Sequence, residues 1–306
     1  MVDNKNIVNE DSEISVVIPT YKRPDMLIRL LESIIISTIA VKEIIVIDGF
    51  PNSNIELILH QKFPYIKYFK FERIAYVGEL RNLGLKISTG KYVFMVDDDN
   101  TISTDCITNL YNEIKKDPLI GVVGPVTCYF NNKNMIMYAG SIYSRFMRRT
   151  IFLYNNSDYS NVINLKYEVD GFANSYLFRK DAALKVYPIP DRILFGGEDG
   201  YIQYRIKKEL GMKLILVGRA RVFHDINPND FYSRMTPFKL YYLARGKITF
   251  ERDLDNGGKF LFSLYLPLYI FFYLYIALHT KNKKYGLTAV ILGLIDGILK
   301  NYINRY

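Results

Sequence analysis

The sequence predicts an α/β fold with a mixed, mainly parallel sheet, helices on both of its faces and apolar helices at the C-terminus. Segments that suit buried strands alternate with segments of helical periodicity in the first part of the chain. The predicted strands over 13–19 and 43–48 are apolar almost throughout, which is typical of parallel strands buried on both faces. Ligands of such sheets bind outside the carboxyl ends of the strands, so we expect functional side chains there.

Strand and helix signals follow one another along the first hundred residues. Pro24 suits the first turn of a helix, and the apolar residues after it recur at helical spacing up to Ile35. Thr89-Gly90 ends a second helix just before the strand that leads to Asp97. These signals predict strands over 13–19, 43–48, 66–69 and 91–96, and helices over 24–35 and 78–87.

The next part of the chain is less regular. Residues 128–164, rich in Asn and Tyr, are expected to form loops and short antiparallel strands that roof the site. A flexible glycine-rich loop at 196–200 precedes a helix that ends at Gly211. The other elements predicted here are helices over 104–115, 181–186 and 201–210, strands over 121–126, 214–217 and 221–224, and a turn entering a strand over 169–179.

Composition and charge narrow the class of protein. A chain of 306 residues with 49% apolar residues can bury one substantial core plus an appendage. Its formal net charge of +9 indicates a polyanionic partner, such as a nucleoside diphosphate, an anionic lipid surface or nucleic acid. Two cysteines are too few for a disulfide framework. The polar, acidic segment 1–12 is expected to be a flexible tail rather than a signal sequence.

Three consecutive carboxylates follow the fourth predicted strand. Asp97, Asp98 and Asp99 come directly after apolar residues, and adjacent carboxylates repel one another and lose hydration when they are buried. A divalent cation would hold them together, and such hard oxygen ligands suit Mg²⁺ or Mn²⁺, which also bridge to substrate phosphates. The alternative is a solvated acidic turn. The buried strand that precedes the three residues favours the cation site.

Other polar side chains are expected on the same rim. Thr20 and Tyr21 follow the first strand, where the tyrosine ring could stack on a nucleobase, and Asp48 ends the second strand, where it could accept a hydrogen bond from a base. Arg81 could pair with phosphate oxygens in a bidentate manner. Each also has an ordinary interpretation, as a rim tyrosine, a helix-capping aspartate and a surface arginine. Their shared place on one predicted rim favours a nucleotide site.

A candidate base and a candidate metal-binding imidazole lie later in the chain. Glu198 and Asp199 stand between glycines and the start of a helix. They could cap that helix, because carboxylates complement the dipole of a helix N-terminus, or one of them could remove a proton from an attacking hydroxyl. His224 comes at a strand end beside Asp225 and is either a structural histidine or a metal ligand.

Five short motifs occur in an order that resembles the family 2 glycosyltransferases. The motifs are Ile18-Pro-Thr-Tyr-Lys-Arg23, Ile45-Val-Ile-Asp48, Arg81-Asn-Leu-Gly84, Val96-Asp-Asp-Asp99 and Gly197-Glu-Asp199. No single motif would suffice, but the ordered set covers about residues 13–225. The resemblance implies the GT-A fold, an inverting reaction, a nucleotide-sugar donor of the UDP or GDP type, and a divalent metal held by a DxD motif.

The same resemblance assigns roles to individual residues. It implies that Asp97 and Asp99 bind the metal, and that Asp199, with Glu198 beside it, is the catalytic base. Tyr21, Asp48, Arg81 and Asp98 match nucleotide-binding positions, with Thr20 on the same rim, and His224 matches a histidine that completes the metal site in some members. One departure is Asp48-Gly-Phe-Pro-Asn-Ser53, where the family commonly has Asp-Asp-Gly-Ser, so the resemblance does not fix which nucleotide base is recognised.

The C-terminal region changes in composition. Phe260 to Leu278 is a run of nineteen residues without a formal charge, within the length range of a transmembrane helix. Lys281-Asn-Lys-Lys284 follows, and the second apolar stretch, Tyr285 to Leu299, contains Asp296 and is short for a span. These features favour a pair of interfacial or re-entrant helices over two spans. The alternative is a soluble arrangement in which the helices pack on the domain or on a second subunit.

Together these observations predict a tail over 1–12, a GT-A domain over 13–234 and a membrane-associating helical region over 235–306. The domain would divide into a nucleotide-binding half, 13–100, and an acceptor half, 101–234. We expect an inverting, metal-dependent glycosyltransferase on the cytoplasmic side of the cell membrane, acting on a glycan or lipid-linked acceptor, with no nucleic-acid partner. The C-terminal helices could also form a homo-oligomer. The alternatives are a metal-dependent nucleotidyltransferase, whose usual glycine-rich basic loop is missing here, and a non-catalytic nucleotide- or sugar-binding protein.

Overall fold

The computed structural model describes residues 7–193, 195–227, 230, 232–254 and 259–301. The chain divides into two compact units. The first consists of Met1–Ile142, Phe152–Pro188 and Ile202–Asp225, and the second of Tyr143–Ile151, Ile189–Tyr201 and Ile226–Tyr306. The last segment of the second unit begins at Ile226, and the predicted domain boundary at residue 235 stays a prediction. Two shorter segments that the sequence did not indicate also belong to this unit.

The described residues contain the following regular elements. The strands are β1 (Ile14–Thr20), β2 (Glu43–Asp48), β3 (Lys67–Lys70), β4 (Tyr92–Val96), β5 (Asn100–Ile102), β6 (Ile120–Tyr129), β7 (Asn132–Tyr138), β8 (Ser141–Ser144), β9 (Arg149–Phe152), β10 (Lys166–Glu168), β11 (Ser175–Arg179) and β12 (Lys213–His224). The helices are α1 (Pro24–Ile35), α2 (Ile55–Lys62), α3 (Val77–Ile87), α4 (Cys106–Ile114), α5 (Lys180–Val186), α6 (Glu198–Leu210), α7 (Pro237–Leu254), α8 (Lys259–Leu278) and α9 (Lys283–Leu299).

The first unit is built on a ten-stranded sheet with the order β10-β12-β6-β11-β4-β1-β2-β3, to which β5 and β7 add at β12 and β6. β3, β2, β1 and β4 are parallel to one another, and β6 is parallel to β12. β11 is antiparallel to both of its neighbours, β4 and β6, so β6 and β12 point in the same direction as β4. Most strands therefore end at one edge of the sheet, and the predicted mainly parallel α/β fold is confirmed.

Helices cover both faces of this sheet because successive strand residues point to opposite sides. Val16 and Ile18 face a core that they share with the buried stripe of α1 and with α2 and α4. Val17 faces the other way, toward α3, where a Cβ on Gly84 would lie only 2.2 Å from Val17 Cγ1. Only glycine lets α3 pack this close to β1. This close packing positions the polar residues of α3 near the sheet edge.

The structure corrects the sequence expectations at several places. β12 is one strand with an irregular pairing between Val217 and Arg221, not two strands, and α2 and β5 had no sequence prediction. The region 128–164, in contrast, contains short strands as expected: β7 is antiparallel to β6, and β8 and β9 form a two-stranded sheet. The predicted tail is not loose over its second half, because Ile7 is buried and Val8 bridges to Val41. Residues 1–6 of that tail lie outside the described residues.

The second unit contains α7, α8 and α9 and a hairpin tip at residues 145–148. Small residues on α9 let it approach α7 closely, since a Cβ on Gly293 would lie 2.3 Å from the Tyr241 carbonyl oxygen. The hairpin is held by a buried ion pair in which Arg148 Nε donates to Glu251 at 2.9 Å. Lys247 Nζ also reaches Glu251, at 2.6 Å. Across the described ranges, the structure contains no helix with the length and apolar character needed to cross a membrane.

Candidate active site

The candidate site lies at the carboxyl edge of the sheet, where the ends of several strands meet. Thr20 is the last residue of β1, Asp48 the last of β2 and His224 the last of β12, and Asp97 follows β4 directly. Asn174 immediately precedes the antiparallel strand β11, whose first residue pairs with the last residue of β4. The sheet topology thus brings together residues that are widely separated in the sequence.

Asp98 is the most enclosed of the three consecutive carboxylates. Its Oδ2 accepts a hydrogen bond from the Thr20 hydroxyl at 2.7 Å and one from the Tyr21 backbone N–H at 3.4 Å. Its Oδ1 accepts from Arg23 Nη1 at 3.1 Å. Burial raises the pKa of Asp98 to about 7, although the charge of Arg23 opposes this shift. The side chain therefore connects the end of β1 to the acidic segment after β4.

Asp97 is held by an arginine from α3. Arg81 Nη2 donates to Asp97 Oδ1 at 2.7 Å, and only 2% of Arg81 is exposed. The close approach of α3 at Gly84 places this guanidinium group at the sheet edge. Removal from water raises the pKa of Asp97; Arg81 opposes the shift and Asp99 adds to it. The predicted surface or phosphate-binding arginine is thus a buried partner of the first aspartate.

Asp99 connects Arg23 to His224. Arg23 Nη1 lies 2.6 Å from Asp99 Oδ2, and His224 Nε2 lies 3.2 Å from Asp99 Oδ1. The other imidazole nitrogen, Nδ1, lies 3.0 Å from the side-chain amide of Asn174. Asn174 has a left-handed backbone with φ of 62°, and its carbonyl oxygen accepts from the Asp97 N–H at 2.9 Å. Asn174 therefore fixes both the imidazole and the start of the acidic segment.

The chemistry of this cluster fits a divalent cation. Hard carboxylate oxygens and an imidazole nitrogen suit Mg²⁺ or Mn²⁺. The 3.2 Å between Asp99 Oδ1 and His224 Nε2 is close to the roughly 3 Å expected between adjacent ligands of an octahedral ion. A guanidinium group already bridges Asp98 and Asp99, which shows that the pocket accommodates positive charge. Within the described ranges, however, no three such side chains are arranged ready to hold a metal, and Asp97 pairs with Arg81.

A cleft of about 370 Å³ opens next to this cluster. It lies between the ends of β1 and β2 and the start of α2, and its lining includes Thr20, Asp48 and Phe50. Asp48 is buried; its Oδ1 accepts from the Phe50 N–H at 2.8 Å and its Oδ2 from the Tyr68 hydroxyl at 3.0 Å. Tyr21 is 37% exposed and meets the Phe50 ring edge-on, with 5.7 Å between the centroids. Two aromatic rings and a carboxylate thus lie at or beside the cleft.

The two acidic residues of the predicted base motif lie in the second unit, at the start of α6. Glu198 is buried and its Oε2 accepts from the Gly197 N–H at 3.0 Å, while Asp199 is half-buried in the first turn. Gly196 and Gly197 have φ of 77° and 136°, a region that favours glycine. Both carboxylates are thus held at a helix N-terminus. That Asp199 faces the carboxylate cluster stays a prediction.

Three residues of the site had no predicted role. Arg23 ends the motif Ile18-Pro-Thr-Tyr-Lys-Arg23, but its partners Asp98 and Asp99 lie 75 and 76 residues away in the sequence, so no local pattern indicated the pairing. Asn174 and Tyr68 gave no sequence signal, since an asparagine before a strand and a tyrosine within one are both ordinary. They were found only because the fold places them beside His224 and Asp48.

The sequence matches a known family and several curated proteins. The model of glycosyl transferase family 2 matches residues 15–182, which is more than half of the chain. YibD of Escherichia coli (strain K12), an uncharacterized glycosyltransferase, is 29% identical over 116 residues, 37% of this chain and 33% of that protein. TarP of Staphylococcus aureus (strain N315), a poly(ribitol-phosphate) beta-N-acetylglucosaminyltransferase, is 31% identical over 120 residues, 37% of each chain. The match spans about a third of the length of these relatives.

Two solved structures are similar over most of this chain. The crystal structure of GalNAc-T7 with UDP, GalNAc and Mn²⁺ superposes with a TM-score of 0.61 and 18% identity, covering 93% of this chain and 55% of that one. The structure of Staphylococcus aureus TarS 1–349 gives a TM-score of 0.52 and 15% identity, covering 95% of this chain and 93% of that one. At these identities the likeness concerns the fold, and it confirms the predicted GT-A fold.

Proposed function

Because the chain belongs to glycosyl transferase family 2, we propose that it transfers a sugar from a nucleoside-diphosphate donor to a hydroxyl group of a glycan or lipid-linked acceptor. The observation that carries this proposal is the convergence at one sheet edge. Asp98 there binds the end of β1, Asp97 binds Arg81, and Asp99 binds Arg23 and His224. An acidic cluster with basic partners beside a cleft is the arrangement that a metal-bound diphosphate requires.

The donor is proposed to be of the UDP or GDP type. The cleft beside the cluster offers Phe50 and the adjacent Tyr21 ring for stacking on a base, and Asp48 for a hydrogen bond from a base N–H. GalNAc-T7 and TarS have each been crystallised with UDP, which supports the UDP type. Arg81 and Arg23 would neutralise the charge that grows on the departing diphosphate.

We propose that Asp97, Asp99 and His224 hold the divalent metal. When bound, Mg²⁺ or Mn²⁺ would stabilise the negative charge of the diphosphate leaving group. Arg23 and Arg81, which now pair with the aspartates, can turn from those carboxylates to phosphate oxygens, since guanidinium recognises both. The Mn²⁺ in the GalNAc-T7 crystal structure supports a divalent metal of this kind.

Asp199, assisted by Glu198, is proposed to act as the general base. Its carboxylate would take the proton of the acceptor hydroxyl as that oxygen attacks the anomeric carbon of the donor sugar. The new bond joins the acceptor oxygen to this carbon, the bond from the carbon to the phosphate oxygen breaks, and the electron pair leaves with the nucleoside diphosphate. A single displacement of this kind inverts the anomeric centre, and no covalent sugar–enzyme intermediate is formed.

The proposal is tested by incubating the purified chain with a panel of UDP- and GDP-sugars, with Mn²⁺, with Mg²⁺ or with a chelator. We expect release of the nucleoside diphosphate from at least one donor, lost in the chelator. Release of pyrophosphate from a nucleoside triphosphate would instead identify a nucleotidyltransferase. Binding of nucleoside diphosphates without turnover of any donor would identify a non-catalytic binding protein.

The base assignment has its own test. Asp199→Asn should abolish sugar transfer while binding of the nucleoside diphosphate, followed as a rise in melting temperature, persists. Glu209→Gln is the matched control, because this exposed acid lies at the other end of α6, about 15 Å away along the helix. Full transfer by Asp199→Asn would refute the assigned base without affecting the donor site.

A further inference from the structure

The helices α8 and α9 present an unpartnered apolar face. One side of α9 packs against α7 through small residues such as Gly293 and Gly297. The opposite sides of both helices are exposed and apolar, with residues at helical spacing. The exposed members are Leu264, Leu268, Phe271, Phe272, Tyr275 and Leu278 on α8, and Tyr285, Ile291, Ile295, Ile298 and Leu299 on α9. Contiguous apolar surface of this extent is uncommon on a soluble protein unless something covers it.

The hairpin tip between β8 and β9 extends the same face. Phe146 is 72% exposed, its ring lies 6.5 Å from that of Tyr265 on α8, and Met147 beside it is also exposed. The tip is fixed in place, because the Tyr269 hydroxyl donates to the Met147 carbonyl oxygen at 3.0 Å and Arg148 is buried against Glu251. Arg145 and Arg149 flank the exposed apolar pair and are themselves exposed. Apolar side chains and positive charges thus share this tip.

The charge around the face has one sign. Residues 259–301 contain five lysines, no arginine and a single acidic residue, Asp296. Asp296 is 1% exposed and points inward, where it accepts hydrogen bonds from the Tyr241 hydroxyl at 2.7 Å and from Asn301 at 3.1 Å. Lys281 is exposed in the turn between α8 and α9, and Lys283 and Lys284 are exposed in the first turn of α9. The exposed charged side chains of α8, α9 and the turn between them are therefore all positive.

This charge distribution decides whether a second copy of the chain or an anionic lipid surface fits the apolar face better. A second copy of the chain docked through the same face would add the lysines of both copies to one interface, and residues 259–301 have no exposed acidic side chain to pair with them. An anionic lipid surface complements the lysines and offers an apolar layer for the exposed side chains. We propose that the outer face of α8 and α9, with the Phe146 tip, lies on a membrane surface that contains anionic lipids.

The test is co-sedimentation of the full chain with vesicles of phosphatidylcholine alone and vesicles of phosphatidylcholine and phosphatidylglycerol in equal amounts. We expect binding to the mixed vesicles that weakens with added salt. Lys281→Gln with Lys283→Gln and Lys284→Gln should weaken it by roughly fivefold per lysine, about a hundredfold in all. Phe146→Ser with Phe271→Ser should weaken binding at least about tenfold.

Matched controls lie in the first unit. Lys62→Gln with Lys86→Gln and Lys185→Gln removes three exposed lysines there and lowers the net charge equally, and it should keep most of the binding. Leu57→Ser changes a residue that is 70% exposed, as Phe271 is, and should have no effect. If the control lysine variant lost as much vesicle binding as the α8–α9 lysine variant, the net charge of the protein alone would explain the loss. That result would overturn the proposal.

Two further results would also overturn it. One is wild-type protein that binds neither vesicle. The other is a dimer in solution that Phe146→Ser with Phe271→Ser converts to a monomer, which would make this face a self-association surface. Because the readout is binding to lipid, its failure leaves the proposed glycosyl transfer untouched.

Discussion

Buried carboxylates at the two edges of the same sheet have opposite surroundings. Glu43 opens β2 at the amino edge and is 2% exposed, while Asp98 follows β4 at the carboxyl edge and is 4% exposed. Glu43 accepts hydrogen bonds from the Ser15 hydroxyl, from the Thr89 N–H and hydroxyl, and from Lys67, all within 2.7 Å. Although burial acts against them, Lys67 and the other donors lower the pKa of Glu43 to about 2. Burial raises the pKa of Asp98 to about 7.

The difference shows that burial alone does not tell a structural carboxylate from a functional one. At the amino edge one carboxylate receives four donors, so its charge is stabilised and its contribution is to the fold. At the carboxyl edge three adjacent carboxylates share two guanidinium groups and one imidazole, so each raises the energy of its neighbours. A cation entering that cluster would relieve the repulsion, whereas nothing at Glu43 calls for one.

The largest expected effect concerns the carboxyl edge. Asp99→Asn should reduce metal-dependent nucleoside diphosphate release by more than about 100-fold, since loss of a metal ligand costs more than loss of a group that orients one. The melting temperature of the metal-free protein should stay the same or rise, because one of three like charges is removed. Enzyme assays and thermal unfolding of the same preparation check this. A variant that melts lower yet keeps its activity would reverse the comparison.

At the amino edge, Glu43→Gln should lower the stability of the protein and leave its turnover unchanged. The neutral side chain loses the charge-assisted bonds to Lys67 and Thr89, and we expect the free energy of unfolding to fall by about 2 kcal/mol. The turnover of folded protein should be unchanged, because Glu43 lies at the edge opposite to the candidate site. Urea unfolding measures the first quantity, and assays well below the melting temperature measure the second. A large loss of turnover with no loss of stability would show that Glu43 contributes to function rather than to the fold, and would contradict the comparison of the two edges.

The two carboxylates should also give opposite pH dependence in the metal-free protein. The pKa of Asp98 is raised from 3.8 to about 7, so the folded state holds its proton longer and stability falls as pH rises through that interval. The pKa of Glu43 is lowered from 4.5 to about 2, so its stabilising effect is lost as pH falls from about 4.5 toward 2. Urea unfolding across this range should show the rising-pH loss flattened in Asp98→Asn and the low-pH loss flattened in Glu43→Gln.

The sequence predicted the carboxyl edge well because its signals are local. Uniformly apolar strands that end at Thr20, Asp48 and Asp97 predict both the parallel sheet and the edge at which these residues meet, and the structure confirms the sheet. The partners of Asp98 follow from the same rule, since β1 and β4 are neighbours. The metal, nucleotide and base roles of these residues stay predictions.

What the sequence did not predict depends on long-range packing. The four donors around Glu43 come from β1, β3 and the turn after α3, and no spacing along the chain links them. Asn174 comes close to His224 because β11 inserts antiparallel between β4 and β6, an arrangement that single-strand patterns do not specify. The same holds for the burial of Arg148 against Glu251, about a hundred residues apart.

The smallest expected effect concerns Asn174, which contacts both His224 at the end of β12 and Asp97 after β4. Asn174→Gly removes the amide beside His224 Nδ1 but suits the left-handed backbone at this position. Since groups that orient a metal-binding histidine typically contribute at least tenfold to affinity, we expect Mn²⁺ binding to weaken about tenfold. Titration of Mn²⁺ followed by electron paramagnetic resonance measures this without an assay of transfer.

Asn156→Gly is the matched control, because Asn156 also has a left-handed backbone, with φ of 59°, and bonds to Tyr129 instead. Equal weakening in both variants would mean that the backbone change, and not the contact with the imidazole, is responsible.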